Sequence, residues 1–534
     1  MIARPDQYVG ITTWKGDDQA SHVINDLNFN GVPDFVWIKR RDGNAMPHQL
    51  YDTVRGETKP LQSSASSGED TQTSGLIDFV RNGFELGASS AVNGLDGDNS
   101  NVPFNYLAWC WKAGGDKGVF NVDDVGYANA SDVNMNVGAL NSSFYDTSDT
   151  WSDDLSSPNG SYGESSVTSA FNGSLTSGFE AGNPSNNYST IRFQPATPIT
   201  VNTRIRIYVF DYNGSNVTYQ YRVNDGSWSN MPGESSSPYR AWRDLGFTGT
   251  LTSFEYRSNT SITYKPTLFA VEIDGVMLVN PGTDLSSLTQ YPSIAATGCS
   301  VGTRQGFSII KATGSNSGNT IAHGLGKVPK FVIAKDMDNS RAWYIYHGSL
   351  GADYRASFDT TEFTSDSGYF GSGMTDTLVT LKSGGSGGNN YNGADMIYYV
   401  WADVPGLQKF GQFTANNSTD GSFVELGFRP SIVWVKAASS AGDMSYASWL
   451  IADGERSPIN PVNKALFANK SAAEGKRGNG SDNYTGVWLD ILSNGFKIRY
   501  TGTEVNGVSG QTYIYCAWAE APAFNLYGGQ SNAR

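Results

Sequence analysis

The sequence predicts an all-β protein of tandem β-sandwich repeats with an inserted jelly-roll-like β-sandwich. Three observations lead there. Aromatic residues make up 13% of the 534 positions while all hydrophobic residues reach only 38%, and 61 glycines accompany abundant Ser, Asn and Thr. That mixture suits many short strands joined by polar turns. Apolar residues seldom recur at helical spacing; Gly75–Arg81, about two turns, is the best helical candidate. Finally, one strand-sized segment occurs three times, and internal repetition decides architecture before any local feature does.

That segment, the anchor, reads Val32-Pro33-Asp34-Phe35-Val36-Trp37-Ile38-Lys39, then Val328-Pro329-Lys330-Phe331-Val332-Ile333-Ala334-Lys335, then Arg429-Pro430-Ser431-Ile432-Val433-Trp434-Val435-Lys436. Proline is tolerated at a strand entrance, where its missing N–H costs no ladder bond. Consecutive apolar residues imply a strand covered on both faces. A second strand follows each anchor: His48–Asp52, Trp343–His347 and Trp449–Asp453. A third landmark, Asn82-Gly83-Phe84-Glu85-Leu86, returns as Asn494-Gly495-Phe496-Lys497-Ile498, a hairpin signal with no clear version in the second copy. Each copy closes on Tyr-x-x-Trp, at Tyr106/Trp109, Tyr398/Trp401 and Tyr515/Trp518, which lie 76, 72 and 88 residues after the anchor prolines. A repeat of about 100 residues has the size of a two-sheet sandwich.

The repeats are accordingly placed at 1–115, 300–407 and 408–534, the last with a C-terminal tail. Residues 116–299 between the first two hold a linker and an inserted β-sandwich with its core at about 143–290. Its strands are expected at Ile191–Phe193, Arg204–Phe210, Val217–Val223, Ser253–Tyr256, Pro266–Ile273 and Val276–Val279, with Asp274-Gly275 turning the last pair. Ser383–Gly388 reads as a loop inside the second repeat.

Net charge is −14, which repels phosphate backbones and argues against nucleic acid as a partner. No run approaches 18 apolar residues, so no membrane-inserting helix is expected, and Met1–Trp14 lacks the apolar stretch of a signal peptide. Cys110, Cys299 and Cys516 are too few for a disulfide framework and read as buried free thiols, in keeping with assembly in a reducing cytoplasm.

Catalytic chemistry finds little to stand on. His22, His48, His323 and His347 form no ligand cluster, so no metal site is assigned, and no cofactor loop or serine elbow occurs. Asp96-Gly97-Asp98-Asn99 and Asp336-Met337-Asp338-Asn339 are the best calcium-like runs, but both lack the completion of an EF-hand and read as solvated turns. Carboxylate pairs of the glycosidase kind are found in any acidic chain. The tryptophans of the repeats are core residues. In the insertion, Tyr219, Tyr221, Trp228, Tyr239 and Trp242 crowd a polar setting, and Trp228 follows the turn Asn224-Asp225-Gly226-Ser227. Aromatic faces stack on sugars, so these five are the candidate ligand-binding residues; buried sandwich aromatics are the structural alternative.

The segments Leu50-Tyr51-Asp52-Thr53-Val54-Arg55-Gly56, Tyr106-Leu107-Ala108-Trp109-Cys110-Trp111-Lys112-Ala113-Gly114-Gly115, Phe120–Tyr127, Ser300–Ile310 and His323-Gly324-Leu325-Gly326-Lys327-Val328-Pro329 together resemble tail-fibre-like virion proteins of marine bacteriophages, the cyanophage type. In such proteins the Phe120–Tyr127 and Ser300–Ile310 stretches lie close in sequence, which fits an insertion here. The resemblance covers the two outer regions and implies a virion structural or host-recognition role, other virion proteins as partners and a homo-oligomer, by analogy a trimer. It supplies no catalytic residue. The functional expectation is a non-enzymatic bacteriophage surface protein, a tail fibre or adhesin. It would recognise a host cell-surface glycan or outer-membrane component, after assembly in the host cytoplasm and release on lysis. A purely structural virion component and a polysaccharide depolymerase are the alternatives. No coiled-coil heptads are found, so attachment to a particle would use a β domain or another protein.

Overall fold

The computed structural model describes residues 2, 4–96, 101–130, 155–156, 167–181, 188–195, 198–201, 204–211, 217–232, 239–258, 265–274, 276–279, 292–358, 363–365, 368–371, 373–382, 386–438 and 444–522. The protein is all-β, with helical geometry confined among the described residues to short 3-10 turns such as Pro5–Gln7. The chain forms two compact units, Met1–Ala130 with Ser293–Arg534, and Ser131–Pro292.

In the larger unit one five-stranded antiparallel order occurs three times. A lead strand (Val9–Lys15, Phe307–Thr313, Gln408–Thr414) pairs with the closing strand (Asn105–Trp111, Asp395–Ala402, Thr512–Pro522). The closing strand pairs with the anchor (Phe35–Arg40, Pro329–Asp336, Phe428–Ala437), which pairs with the second strand (Gln49–Asp52, Tyr344–His347, Leu450–Asp453). A rim strand (Gly56–Leu61, Tyr354–Ala356, Leu466–Phe467) completes each set. The residue two places after the anchor proline stands opposite the second strand's last residue every time: Phe35 faces Asp52, Phe331 faces His347 and Ile432 faces Asp453.

The same register corrects the closing motif. Phe35, Phe331 and Ile432 stand opposite Trp111, Trp401 and Trp518. Trp111, not Trp109, is thus the counterpart of Trp401 and Trp518, and the Tyr-x-x-Trp of the first copy is displaced by two residues. Strand side chains alternate with period two, so the displacement keeps both tryptophans on one face. The true counterparts of Trp109 are Tyr399 and Cys516.

Each anchor is apolar at consecutive positions because both of its faces are covered. In the first repeat Val36 and Ile38 pack with Phe84 and Leu86 beneath a small sheet of its own, His22–Ile24, Gly83–Leu86 and Leu76–Val80. In the third, Val433 and Val435 pack likewise with Phe496 and Ile498. The opposite faces of all three sheets enter one shared core. At its heart Trp111, Trp401 and Trp518 form a triangle with ring-centroid sides of 6.2, 6.1 and 5.3 Å, all edge-to-face. Their three indole N–H groups are buried without a hydrogen-bond acceptor; edge-to-face packing offers them a neighbouring π face instead. The repeats are therefore three sectors of one body with internal pseudo-threefold order.

Two expectations are corrected here. Gly75–Arg81 is no helix: Leu76–Val80 is a strand in a hairpin with Gly83–Leu86, turned at Asn82 with φ 63°. A bulge between Leu76 and Asp78 breaks the alternation, so buried Leu76 and Phe79 acquire a helix-like spacing. The second repeat does have a counterpart of the third landmark, Leu378–Thr380 paired with Thr320–Ala322, but without an Asn-Gly turn. In addition, Phe120–Val122 runs parallel to Ala296–Gly302, with Phe120 opposite Cys299, so both ends of the segment read as 116–299 belong to the larger unit.

The smaller unit is a β-sandwich of two main sheets. One is ordered Leu155–Ser156, Ser189–Phe193, Phe254–Ser258, Tyr219–Val223, Ser229–Asn230, the other Phe179–Glu180, Thr267–Ile273, Ile205–Asp211, Tyr239–Asp244. From Ser189–Phe193 onward the main strands pass back and forth between these sheets, as in a jelly roll, around a core that includes Phe193, Ile207, Phe254 and Val271.

Candidate functional site

A set of buried polar side chains of the larger unit joins its sectors. The position at the end of the second strand reaches the next sector each time. Asp52 accepts from Tyr399 Oη at 2.7 Å, and Asp453 accepts from Trp109 Nε1 at 3.0 Å. His347 instead donates through Nε2 to the Tyr515 carbonyl at 3.1 Å. The exchange is complementary: where the facing aromatic is replaced by small Cys516, the carboxylate is replaced by a longer imidazole that reaches the backbone. Asp52 and Asp453 each hold an arginine three residues on, Arg55 at 2.5 Å and Arg456 at 2.6 Å, and these ions are almost wholly buried. A second cyclic set comes from the residue immediately before the second strand: His48 reaches the Phe467 carbonyl, Trp343 those of Gln62 and Ala65, and Trp449 that of Ser357. The lysine that ends the anchor also crosses, Lys39 to the Ser471 carbonyl and Lys335 to that of Ser66. Burial pulls Lys39 and Lys436 down to about 7.

Three of the four histidines are engaged in one common way. His48, His323 and His347 each accept a hydrogen bond at Nδ1, from Trp37 Nε1, the Leu325 N–H and the Ser349 N–H, and each donates from Nε2 to a carbonyl. Burial holds all three below the ordinary histidine value, His323 and His347 at about 4. With both ring nitrogens engaged, none presents a free lone pair to a metal or a proton. Cys110, Cys299 and Cys516 are buried free thiols, raised by burial. The calcium-like run at Asp336 is a closed turn: its Oδ1 accepts the N–H groups of Asp338 and Asn339, and Arg341 lies 3.0 Å from Oδ2. The run beginning at Asp96 continues into positions outside the described residues. Among the described residues, no group of three or more His, Cys, Asp or Glu could hold a metal ion.

The five candidate aromatics of the insertion do not form one site. Tyr219 is wholly buried and stacks on Tyr256 at 5.6 Å in the core, which removes it from any surface. Tyr221 points the same way, packs against that core and donates to the Leu245 carbonyl at 3.1 Å. The strand reads Tyr219-Gln220-Tyr221-Arg222-Val223, and its alternation sends the aromatics inward and Gln220 and Arg222 outward. Trp242 belongs to the other sheet, where it lies beside Tyr208 at 5.3 Å and under Arg206. Tyr239 is placed on that same strand by its backbone, and its side chain lies outside the described residues. Trp228 alone belongs to the outer face of the first sheet.

Around Trp228 stand residues that aromatic content did not single out. Adjacent strands put Arg192, Glu255 and Arg222 in one row and Thr190, Arg257, Gln220 and Asn230 in the next. Glu255, itself buried, is clasped by Arg192 and by Arg222, the latter at 2.9 Å, while Asp225 pairs with Arg192 at 2.7 Å. Arg257 lies 3.6 Å over the Trp228 ring and 4.1 Å over Tyr188, and its Nε and Nη2 donate to Gln220 Oε1 at 3.0 and 2.7 Å. The signal in the sequence was period-two alternation of arginine with apolar residues in Ile191-Arg192-Phe193, Tyr221-Arg222-Val223 and Tyr256-Arg257-Ser258.

No curated protein matches the chain. A family model described as a domain of unknown function (DUF7483) matches residues 4–144 and 286–522, breaking off and resuming within or beside the smaller unit. Those two stretches span the three-sectored body and make up most of the sequence, so the chain belongs to the DUF7483 family.

Proposed function

We propose that the protein is a non-enzymatic surface component of a bacteriophage particle, a tail fibre or adhesin, whose three-sectored body is a scaffold and whose inserted sandwich meets a host cell-surface glycan. One observation carries the reading: the buried aspartates and histidine that end the second strands of the larger unit bind across its own sectors, whereas the smaller unit keeps arginines and an aromatic ring on an outer sheet face. The family match, interrupted over 145–285, supports the same division of a common body from an added module. Resemblance to marine phage fibres supplies the particle, and other virion proteins are then its partners. A display protein gains from many weak contacts multiplied by copy number, which suits an open face better than a deep pocket.

Gold-labelled antibody on intact virions, together with adsorption of purified protein to host cells, tests this. Labelled particles and saturable adsorption that disappears when 145–285 is replaced by a short Gly-Ser linker are the expected results. Labelled particles with no adsorption would leave the purely structural reading. Release of reducing ends from host polysaccharide would replace both with a depolymerase.

A further inference from the structure

We propose that the ligand of the inserted sandwich is an acidic polysaccharide, its carboxylate or sulfate groups taken by Arg257 on the sheet face shared with Trp228, Arg192 and Arg222. The inference rests on the reading of this unit as the glycan-binding module and specifies the class of glycan.

The choice of an acidic over a neutral sugar follows from three observations. First, the ring of Trp228 is covered by a guanidinium at 3.6 Å, so it offers less open aromatic surface for the apolar face of a neutral sugar than a bare ring would. Second, among the described residues Arg257 has no carboxylate at ion-pair distance: its hydrogen bonds go to neutral Gln220, and Nη1 takes no part in them. Its neighbours Arg192 and Arg222 divide Glu255 and Asp225 between them, so among the described residues of this face three cations meet two anions, on a chain whose net charge is −14. Third, the guanidinium carbon lies over two rings, 4.1 Å from the Tyr188 centroid and 3.6 Å from that of Trp228, which restrains the side chain before any ligand arrives. A planar, pre-oriented guanidinium recognises a carboxylate or sulfate with little further loss of side-chain freedom. Burial and the nearness of Arg222 hold Arg257 below the usual guanidinium value, and the negative charge of a bound anion works against that shift. Exposed Asn230, cross-strand from Gln220, stands ready for a sugar hydroxyl.

The experiment is affinity electrophoresis of the full chain through gels holding polygalacturonate, dextran sulfate or uncharged dextran, beside adsorption to host cells. Retardation by an acidic polymer but not by dextran is expected, weakening as salt rises from about 50 to 300 mM. The preference between the two acidic polymers tells carboxylate from sulfate. Arg257→Gln should lower apparent affinity roughly tenfold. Arg257→Lys keeps the charge, loses the planar guanidinium over the rings and should lose affinity by less, so a folding defect in the glutamine variant would not hide the effect. Equal retardation by dextran, or wild-type affinity in both variants, overturns the proposal. Adsorption to cells without retention by either acidic polymer overturns it while leaving the glycan reading standing; no adsorption at all removes the reading beneath it.

Discussion

Tyr399 donates its hydroxyl to Asp52 at 2.7 Å although 347 residues separate them, and the bond joins two sectors of one core. Tyr399→Phe removes one hydrogen bond to a charged acceptor and should cost about 1.5–3 kcal/mol. Asp52→Asn also strips buried Arg55 of its closest counter-charge, and the loss should rise to about 3–5 kcal/mol. Urea titrations of the two variants check the order; an Asp52→Asn variant as stable as Tyr399→Phe would mean that Arg55 finds another partner.

The tryptophan triangle makes the three sectors one cooperative unit. Trp518→Ala should cost about 3–5 kcal/mol, and the whole larger unit, not the third repeat alone, should melt earlier. Calorimetry of that variant is expected to show one shifted transition for the body, with the transition of the smaller unit in place. Residues 408–522 made alone should fail to fold, because Trp434, Trp449 and Trp518 would face water. Native-like near-ultraviolet dichroism from that fragment would refute the shared core.

Acid should loosen the body at mildly low pH. His323 and His347 sit at about 4 in the folded chain, against about 6.5 for an unperturbed histidine. Between those values the unfolded chain binds protons that the folded chain refuses, so stability falls as pH drops from about 6.5 to 4, by roughly 3 kcal/mol for each residue. Above pH 7 these groups contribute no slope. Chemical denaturation from pH 7.5 to 4.5 measures it, and His347→Gln should flatten the curve by its own share.

The homo-oligomer implied by the phage resemblance has to form through outer surfaces, since the threefold core is already closed within one chain. Light scattering is expected to give a multiple of 57.5 kDa, and Tyr399→Phe should leave that multiple unchanged. A mass that falls to one chain when a contact between sectors is weakened would show that sectors exchange between chains.

Within the insertion, Tyr219→Ala should destabilise the sandwich by about 3 kcal/mol or more, because it empties a core position. Trp228→Ala should change its melting by far less and act on ligand retention. Equal melting of the two variants would contradict the inward placement of Tyr219.

Much of the architecture was readable because its causes are local. A proline and one polar residue before four apolar residues mark a covered strand, and the second strand's last position aligns Asp52, His347 and Asp453. The closing strand is ambiguous because Tyr106 and Trp109 reproduce the Tyr-x-x-Trp spacing two residues early, and Trp109 shares a face with Trp111. The shared core was hidden for another reason: an apolar face looks the same whether its cover comes from its own repeat or from a neighbour. At the candidate site, aromatic content groups residues that strand alternation separates. Tyr219-Gln220-Tyr221-Arg222 sorts into an inner and an outer row, and the outer row holds Gln220 and Arg222.

A ring of three identical subunits must display three copies of whatever each subunit carries. Here the three sectors are covalently consecutive, and the sandwich is spliced into the link between the first and second alone. Symmetry of the body and valency of the display are thereby uncoupled: one body presents one module. Each sector is also free to diverge against its neighbour, as the exchange of an Asp–aromatic pair for His347 and Cys516 records. Threefold order in this chain is a property of packing and places no limit on the stoichiometry of what it holds out.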